Sequence, residues 1–527
     1  MTVDTSEWSS EIQKHACRLS EVSLRQRCAN KEHVKRQIRK LGPLTIDFSK
    51  NYIDQELIQW FKNYLEKQGW NKYSKDLFSG APINSTENRP VMHWLLRATQ
   101  SNLPEFNEVK TTFERMRQAC RAIHKGEWLG ATGQPFTDIV NLGVGGSDLG
   151  PRLVCQALDE FALPECKVHF VANIDGSDIH QALQGLSPHN TLFIVTSKSF
   201  STLETLQNAT TARDWLKSVG IESDAHWIGV TSQVERAVAF GLSEKNIFPM
   251  WDWVGGRYSV WSAVGLSIML RLGIDQFDAF LSGGAIVDAH MQEVPLEENS
   301  AFIMALLSTL YINGYSWQSQ AIIPYDHRLR SFPDYLQQLE MESNGKSVNR
   351  KGENIDYQTA PIIWGGIGSN TQHSFHQLLH QGKIFSPVDF LIALNPSHHY
   401  PEHHRLLIAN MLAQAQALMQ GKQFNEIENE IKNSDESVIN PRIIAGGKPS
   451  TIIGFDRLCP KVMGTLIALY EYKVFIQSCA WQINPFDQWG VELGKNLCGP
   501  IADALSKKPT SALDPSTSFW IEQYQKN

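Results

Sequence analysis

The chain has 527 residues, 42% of them hydrophobic and 20% charged, with a formal net charge of -7. A single hydrophobic core does not organise that length, so two domains with extensions are expected, and the ordinary composition points to a soluble globular protein. The acidic balance speaks against a general nucleic-acid binder, which carries a basic face or stripe, and the longest apolar runs, such as 301–312, are too short to span a bilayer.

In chain order, residues 1–13 are polar and acidic, without the basic-then-apolar pattern of a leader. Eight cysteines are scattered from Cys17 to Cys498 with no Cys-x-x-Cys pair, which suits free thiols in a reducing compartment. Both observations make the cytoplasm the expected location. Residues 1–103 read as mainly helical, for example 53–65 with its helical apolar spacing. Short apolar runs at 139–142, 168–172, 191–196 and 227–230 then read as buried strands, with helical patterns such as 203–218 between them. That alternation predicts a parallel sheet covered by helices. A helical pattern at 300–313 opens a second region of the same kind, with strands expected at 320–324, 361–364 and 390–394. A faint echo links the regions: Gly143-Val-Gly-Gly-Ser-Asp148 follows one predicted strand and Gly366-Ile-Gly-Ser-Asn370 follows another. The expected fold class is α/β, with two doubly wound parallel-sheet domains.

Four segments carry chemistry. The glycines of 143–150 let the backbone approach an anion and adopt positive φ, and the helix start that follows offers free N–H groups. A dinucleotide fingerprint fails here, because Asp148 stands where the third glycine is required. Ser197-Lys-Ser-Phe-Ser-Thr202 places four hydroxyls at a helix start, more than the single one that an N-cap uses, and so suggests a phosphate site. In 332–346, Glu340 and Glu342 precede an Asn-Gly stop, with Gln338 one helical turn before Glu342. A carboxylate there suits a general base, although acidic residues at helix ends commonly just face solvent. The fourth segment is Asp487-Gln-Trp-Gly-Val-Glu-Leu-Gly-Lys495. The run His398-His-Tyr-Pro-Glu-His-His404 invites a metal reading, but adjacent residues diverge in direction, so a surface or interface cluster is the expectation.

Together with Trp253-Val-Gly-Gly-Arg-Tyr-Ser259, Met341-Glu-Ser-Asn-Gly-Lys346 and Gln372-His373, these segments resemble the glucose-6-phosphate isomerase family, in the family's order, from about residue 78 to about residue 495. The resemblance implies two sugar-isomerase (SIS) type domains. A helical segment at 1–103 would pack on the second domain, the two domains would lie at 104–275 and 276–480, and a C-terminal helical arm would occupy 481–527. It implies a homodimeric enzyme of glycolysis and gluconeogenesis that interconverts glucose 6-phosphate and fructose 6-phosphate through a cis-enediol, without cofactor or metal. It assigns Glu342 as the proton-transfer base, His373 as the ring-opening acid/base contributed by the neighbouring subunit, Arg257 as the cation beside the enediolate, and Lys495 as an aid to ring opening. Substrate contacts fall on Gly146, Ser147, Ser197, Lys198, Ser199, Thr202, Gln338 and Gln488. Departures from the family pattern stand at Ser199 (usually Thr), Leu203 (usually Gln), Thr371 (usually Gly) and the Gly366-Ile367 pair (usually acidic-Pro). A non-catalytic sugar-phosphate sensor is disfavoured, since it has no need of Arg257, Glu342, His373 and Lys495 together. A sibling enzyme acting on mannose 6-phosphate is not separable on these residues.

Overall fold

The computed structural model describes residues 5–510 and 513–526, so the first four residues of the polar stretch 1–13 and residues 511, 512 and 527 of the C-terminal arm lie outside the description. Residues Met1–Pro485 gather into one compact unit and Phe486–Asn527 into another.

Eleven strands are described in the first unit, making two sheets. Ile38–Leu41 (β1) and Leu44–Asp47 (β2) form an antiparallel hairpin. Asp138–Leu142 (β3), Lys167–Val171 (β4), Thr191–Thr196 (β5), Trp227–Thr231 (β6) and Ile247–Pro249 (β7) form a wholly parallel sheet of order β4-β3-β5-β6-β7. The central strand β5 is buried at all six positions, which explains its uninterrupted apolar run. Ser319–Pro324 (β8), Ile362–Gly365 (β9), Val388–Ala393 (β10) and Ser450–Phe455 (β11) make the parallel part of the second sheet, ordered β1-β2-β11-β10-β8-β9.

In each sheet the first parallel strand, β3 or β8, lies between the second and the third, the order of a doubly wound fold. The expected α/β class with parallel sheets is therefore observed. Residues 1–103 are not purely helical, however: β2 pairs antiparallel with β11, Ile46 opposite Ile453. Strands this short, with alternating burial, leave little trace in an apolar-run reading. The glycine echo is not topologically equivalent either. Gly143 follows the interior strand β3, whereas Gly366 follows the edge strand β9.

The helix Pro460–Ala480 is buried along its length except at Lys461, and it packs against the helices Ile274–Glu293 and Ser300–Thr309. Glycines permit the approach: a Cβ at Gly464 would lie 2.0 Å from the Phe280 carbonyl oxygen, and one at Gly283 would lie 2.0 Å from that of Lys461. Four consecutive polar residues of this helix find partners in the interior. Tyr470 donates to Asp389 Oδ2 at 2.8 Å. Glu471 accepts from Arg97 and Trp261, each at 2.7 Å. Tyr472 donates to Asp288, and Lys473 donates to Gln320 at 2.8 Å and to Glu340 at 3.0 Å.

The second unit holds the helices Glu492–Leu505 and Pro515–Lys526, joined by a hydrogen bond from Gln525 Nε2 to the Ala504 carbonyl at 2.8 Å.

Burial pushes the Asp389 carboxyl up to about 6, against the opposing pull of Lys473. A raised native value means that ionised Asp389 penalises the fold above pH 6, and the penalty is relieved as pH falls toward the ordinary carboxylate range. Relative to Asp389→Asn, the native chain is therefore expected to gain about 1 kcal/mol of stability between pH 7 and pH 5. Urea unfolding of both proteins at the two pH values checks this, and an unchanged difference would refute it.

Candidate active site

Ligands of doubly wound sheets sit at the carboxyl ends of the strands where the strand order reverses. In the parallel sheet that point lies between β3 and β5, and the two loops singled out for phosphate leave those two strands. Asn141 on β3 braces the first of them, accepting from Thr196 Oγ1 at 3.1 Å and donating to the Ser147 carbonyl at 3.2 Å. Gly146 and Ser147, both half-buried, lie in the short turn ahead of the helix Leu149–Ala157.

The second loop, 197–202, takes its shape from Phe200. That residue has φ +44°, rare for an aromatic side chain, and its ring is buried 5.7 Å from Phe240. Burying the ring leaves Ser199 and Ser201 exposed, hydrogen-bonded to each other at 2.8 Å. Thr202 occupies the cap position of the helix Leu203–Lys217, yet its hydroxyl lies 3.1 Å from Ser197 Oγ and does not cap the helix. The leading N–H groups of that helix are thereby left to serve an anion. Leu203, where the family pattern has Gln, is exposed. Lys198 reaches sideways rather than forward: its ammonium donates to the carbonyls of Asp252 at 3.1 Å and Val254 at 2.9 Å. Burial lowers its pKa from the ordinary lysine value.

Those carbonyls belong to the turn that carries Arg257. The glycine turn meets the same segment backbone to backbone, since a Cβ at Gly146 would lie 2.0 Å from the Gly256 oxygen. Gly145, at φ +58°, passes close to Gln338, whose Nε2 lies 3.1 Å from where a Cβ would be. These approaches gather both loops, Arg257 and Gln338 into one cluster.

Glu342 completes it. The helix Phe332–Leu336 widens into a π-helical turn over Gln337–Glu342, a form frequent at functional sites. Gln338 Nε2 donates to Glu342 Oε2 at 3.0 Å, and Arg257 Nη1 donates to Oε1 at 2.8 Å. The Arg257 side chain is buried, while that of Glu342 keeps 26% exposure, enough to meet a ligand. Arg257 also donates through Nε to Ser343 Oγ at 2.6 Å and through Nη2 to the Pro485 carbonyl. Tyr258 bonds the same Ser343 at 3.0 Å, and burial pushes its phenol up to about 12, so it stays neutral.

His373 is exposed on the turn Asn370–His373 beyond β9, beside Gln372, which donates to Tyr325 OH at 2.7 Å. In the second unit, Lys495 is exposed and paired with Glu492 at 2.9 Å, and Gln488 precedes the turn Trp489–Val491. Of the histidine run, His404 is buried against the Leu394 carbonyl and the other three are exposed. Sequence reasoning missed the supporting set of Tyr258, Arg97 and Lys473. The legible signal was Tyr470-Glu-Tyr-Lys473, four polar residues inside an otherwise apolar helical run.

A family profile described as phosphoglucose isomerase matches residues 47–521. A glucose-6-phosphate isomerase of Saccharophagus degradans is 46% identical over 492 residues, covering 91% of this chain and 90% of that protein. One of Francisella philomiragia is 43% identical over 527 residues, covering 96% and 97%. Among solved structures, a glucose-6-phosphate isomerase from Chlamydia trachomatis superposes with a TM-score of 0.85 at 29% identity, covering 100% of this chain and 99% of that one.

Gly146→Ala is expected to part the glycine turn from the Arg257 turn and to lower kcat/KM about a hundredfold. Gly176→Ala, at a site where a Cβ meets nothing within 4 Å, serves as the control. Equal kinetics for the two variants would contradict the backbone contact as the element that sets the site.

Proposed function

The chain belongs to the phosphoglucose isomerase family, and from that premise we propose that it interconverts glucose 6-phosphate and fructose 6-phosphate by moving a proton between C1 and C2. The observation that carries the reading is the Glu342 carboxylate held by Arg257 and Gln338 against the Gly145-Gly146 turn. A base, a permanent cation and an anion-binding turn in one cluster are what an aldose–ketose isomerisation requires.

The phosphate is bound by the hydroxyls of Ser197, Ser199 and Thr202 with the helix N-terminus behind them, and by Gly146 and Ser147. Lys198 contributes by tying the loop to the Arg257 turn. With the phosphate anchored, the open-chain sugar lies with C1 and C2 beside Glu342, which removes the proton from C2 and returns it to C1. Negative charge developing on the enediolate oxygen is met by the Arg257 guanidinium, already fixed by its bonds to Ser343 and Pro485 and therefore needing no reorganisation. Gln338 orients the base and contacts the substrate.

Ring opening precedes this step. His373 acts there as acid and base, supplied by the neighbouring subunit of a homodimer; its exposure on a surface turn supports a role across an interface. The family resemblance gives Lys495 a part in ring opening and Gln488 a substrate contact. The shared strand order of the two sheets supports division of the chain into a segment 1–103, domains 104–275 and 276–480, and an arm 481–527. The cytoplasm is the proposed location.

The direct test is proton NMR of glucose 6-phosphate incubated with the protein in D2O in the presence of chelator. Fructose 6-phosphate with deuterium at C2 of the glucose 6-phosphate pool is the expected result, and no conversion by folded protein refutes the reading. Glu342→Gln is expected to lower kcat by several orders of magnitude while the KM for glucose 6-phosphate, a readout of phosphate anchoring, changes little; near-normal turnover would sink the base assignment. Thr202→Val should raise KM, because the hydroxyl it loses is not spent on capping the helix. An effect confined to kcat would contradict the phosphate role.

A further inference from the structure

The widened turn that presents Glu342 is held from two sides. On the substrate side, Arg257 and Gln338 grip the Glu342 carboxylate. On the core side, Glu340, two residues earlier in the same π-helical turn, is 2% exposed and accepts from the ammonium of Lys473 at 3.0 Å. Lys473 is itself wholly buried. Its second bond runs to Gln320 Oε1 on β8 at 2.8 Å, and Gln320 Nε2 donates to Asp389 Oδ2 on β10 at 2.8 Å. Tyr470, one turn back on the helix of Lys473, donates to that same oxygen. The turn is thereby referenced to two strands of the second sheet and to the central buried helix.

Burying an ion pair is not the economical way to fill this space. Apolar residues of similar volume match or exceed its stability, whereas removing one charge strands the other. What a buried pair supplies that an apolar contact does not is one discrete register, because Glu340 Oε2 and the Lys473 ammonium meet in a single geometry. At a π-helical turn the register fixes which way the side chains two and four residues apart project.

We propose that Lys473, acting through Glu340, is a positioning residue that sets the register of the π-helical turn and so the aim of the Glu342 carboxylate at the C1–C2 unit of the substrate. The role rests on the isomerase reading above. It makes no contact with the sugar and therefore acts on turnover rather than on phosphate binding. A misplacement of about 1 Å at a proton-transfer base is enough to cost up to a hundredfold in rate.

The test uses two variants of the full chain beside the wild type. Glu340→Gln keeps the shape and one acceptor for Lys473. The double variant Glu340→Met with Lys473→Met removes both charges of the pair, while Asp389, which loses the pull of Lys473, keeps its bonds from Gln320 and Tyr470. For the double variant a melting temperature at or above that of the wild type is expected, together with a kcat lowered about tenfold and a KM for glucose 6-phosphate within about twofold. A second readout is the fraction of deuterium label carried from C2 to C1 without exchange into solvent. A base that is out of register transfers label less faithfully, so that fraction is expected to fall in both variants, and a merely structural role leaves it unchanged. A folded double variant with wild-type kcat and wild-type label transfer overturns the proposal, as does a loss of activity expressed in KM alone. If the wild type itself does not isomerise glucose 6-phosphate, the underlying reading fails first and this one with it.

Discussion

A helix buried on every side apart from Lys461 carries four polar residues in succession, and each has to find its partner inside the protein. A buried charge left without a partner costs about 3–5 kcal/mol. The turn Tyr470–Lys473 therefore dictates where several other elements sit. Tyr470 fixes strand β10 through Asp389, and Glu471 fixes the turn His93–Arg97 and the Trp261 indole. Tyr472 fixes the helix Ile274–Glu293 through Asp288, which Arg97 also grips with two bonds of 2.7 Å. Lys473 fixes β8 and the segment that carries Glu342.

The consequences reach Arg257 by a second route. His93, buried and pushed well below the ordinary histidine value by desolvation, stacks as a neutral ring on Tyr258 with centroids 4.6 Å apart. Tyr258 in turn shares Ser343 with Arg257. Both Glu342 and Arg257 are thus held by side chains whose own positions are set in the core. A site that stabilises developing charge gains from such rigidity, because its dipoles need not reorganise when the reaction occurs.

Glycine has a different part in the same design. The glycine turn after β3 and the Arg257 turn come from separate stretches of chain, and they meet through backbone atoms at Gly146 and Gly256. No side chain intervenes, so the spacing of the two turns is set by peptide geometry. Phe200 does comparable work in the hydroxyl loop, where its buried ring forces an uncommon backbone conformation and turns the neighbouring serines outward.

Local patterns were enough to reveal the α/β class, the seven predicted strands and the loops that follow them, because each depends on residues within a few positions of one another. A fully buried strand such as β5 is an apolar run, and a loop that cradles an anion needs its glycines and hydroxyls in series. The same reading singled out Glu342, Gln338 and Arg257, which the fold brings into one hydrogen-bonded cluster. The hairpin β1–β2 escaped it, since its strands have four residues each and it joins the sheet through the pairing of β2 with β11, some four hundred residues away. The π-helical turn, the sideways reach of Lys198 and the ion pair of Lys473 with Glu340 were equally invisible. A sequence records which residues are polar, but whether a polar residue faces water or a buried partner depends on contacts between distant segments. Only the folded chain decides that.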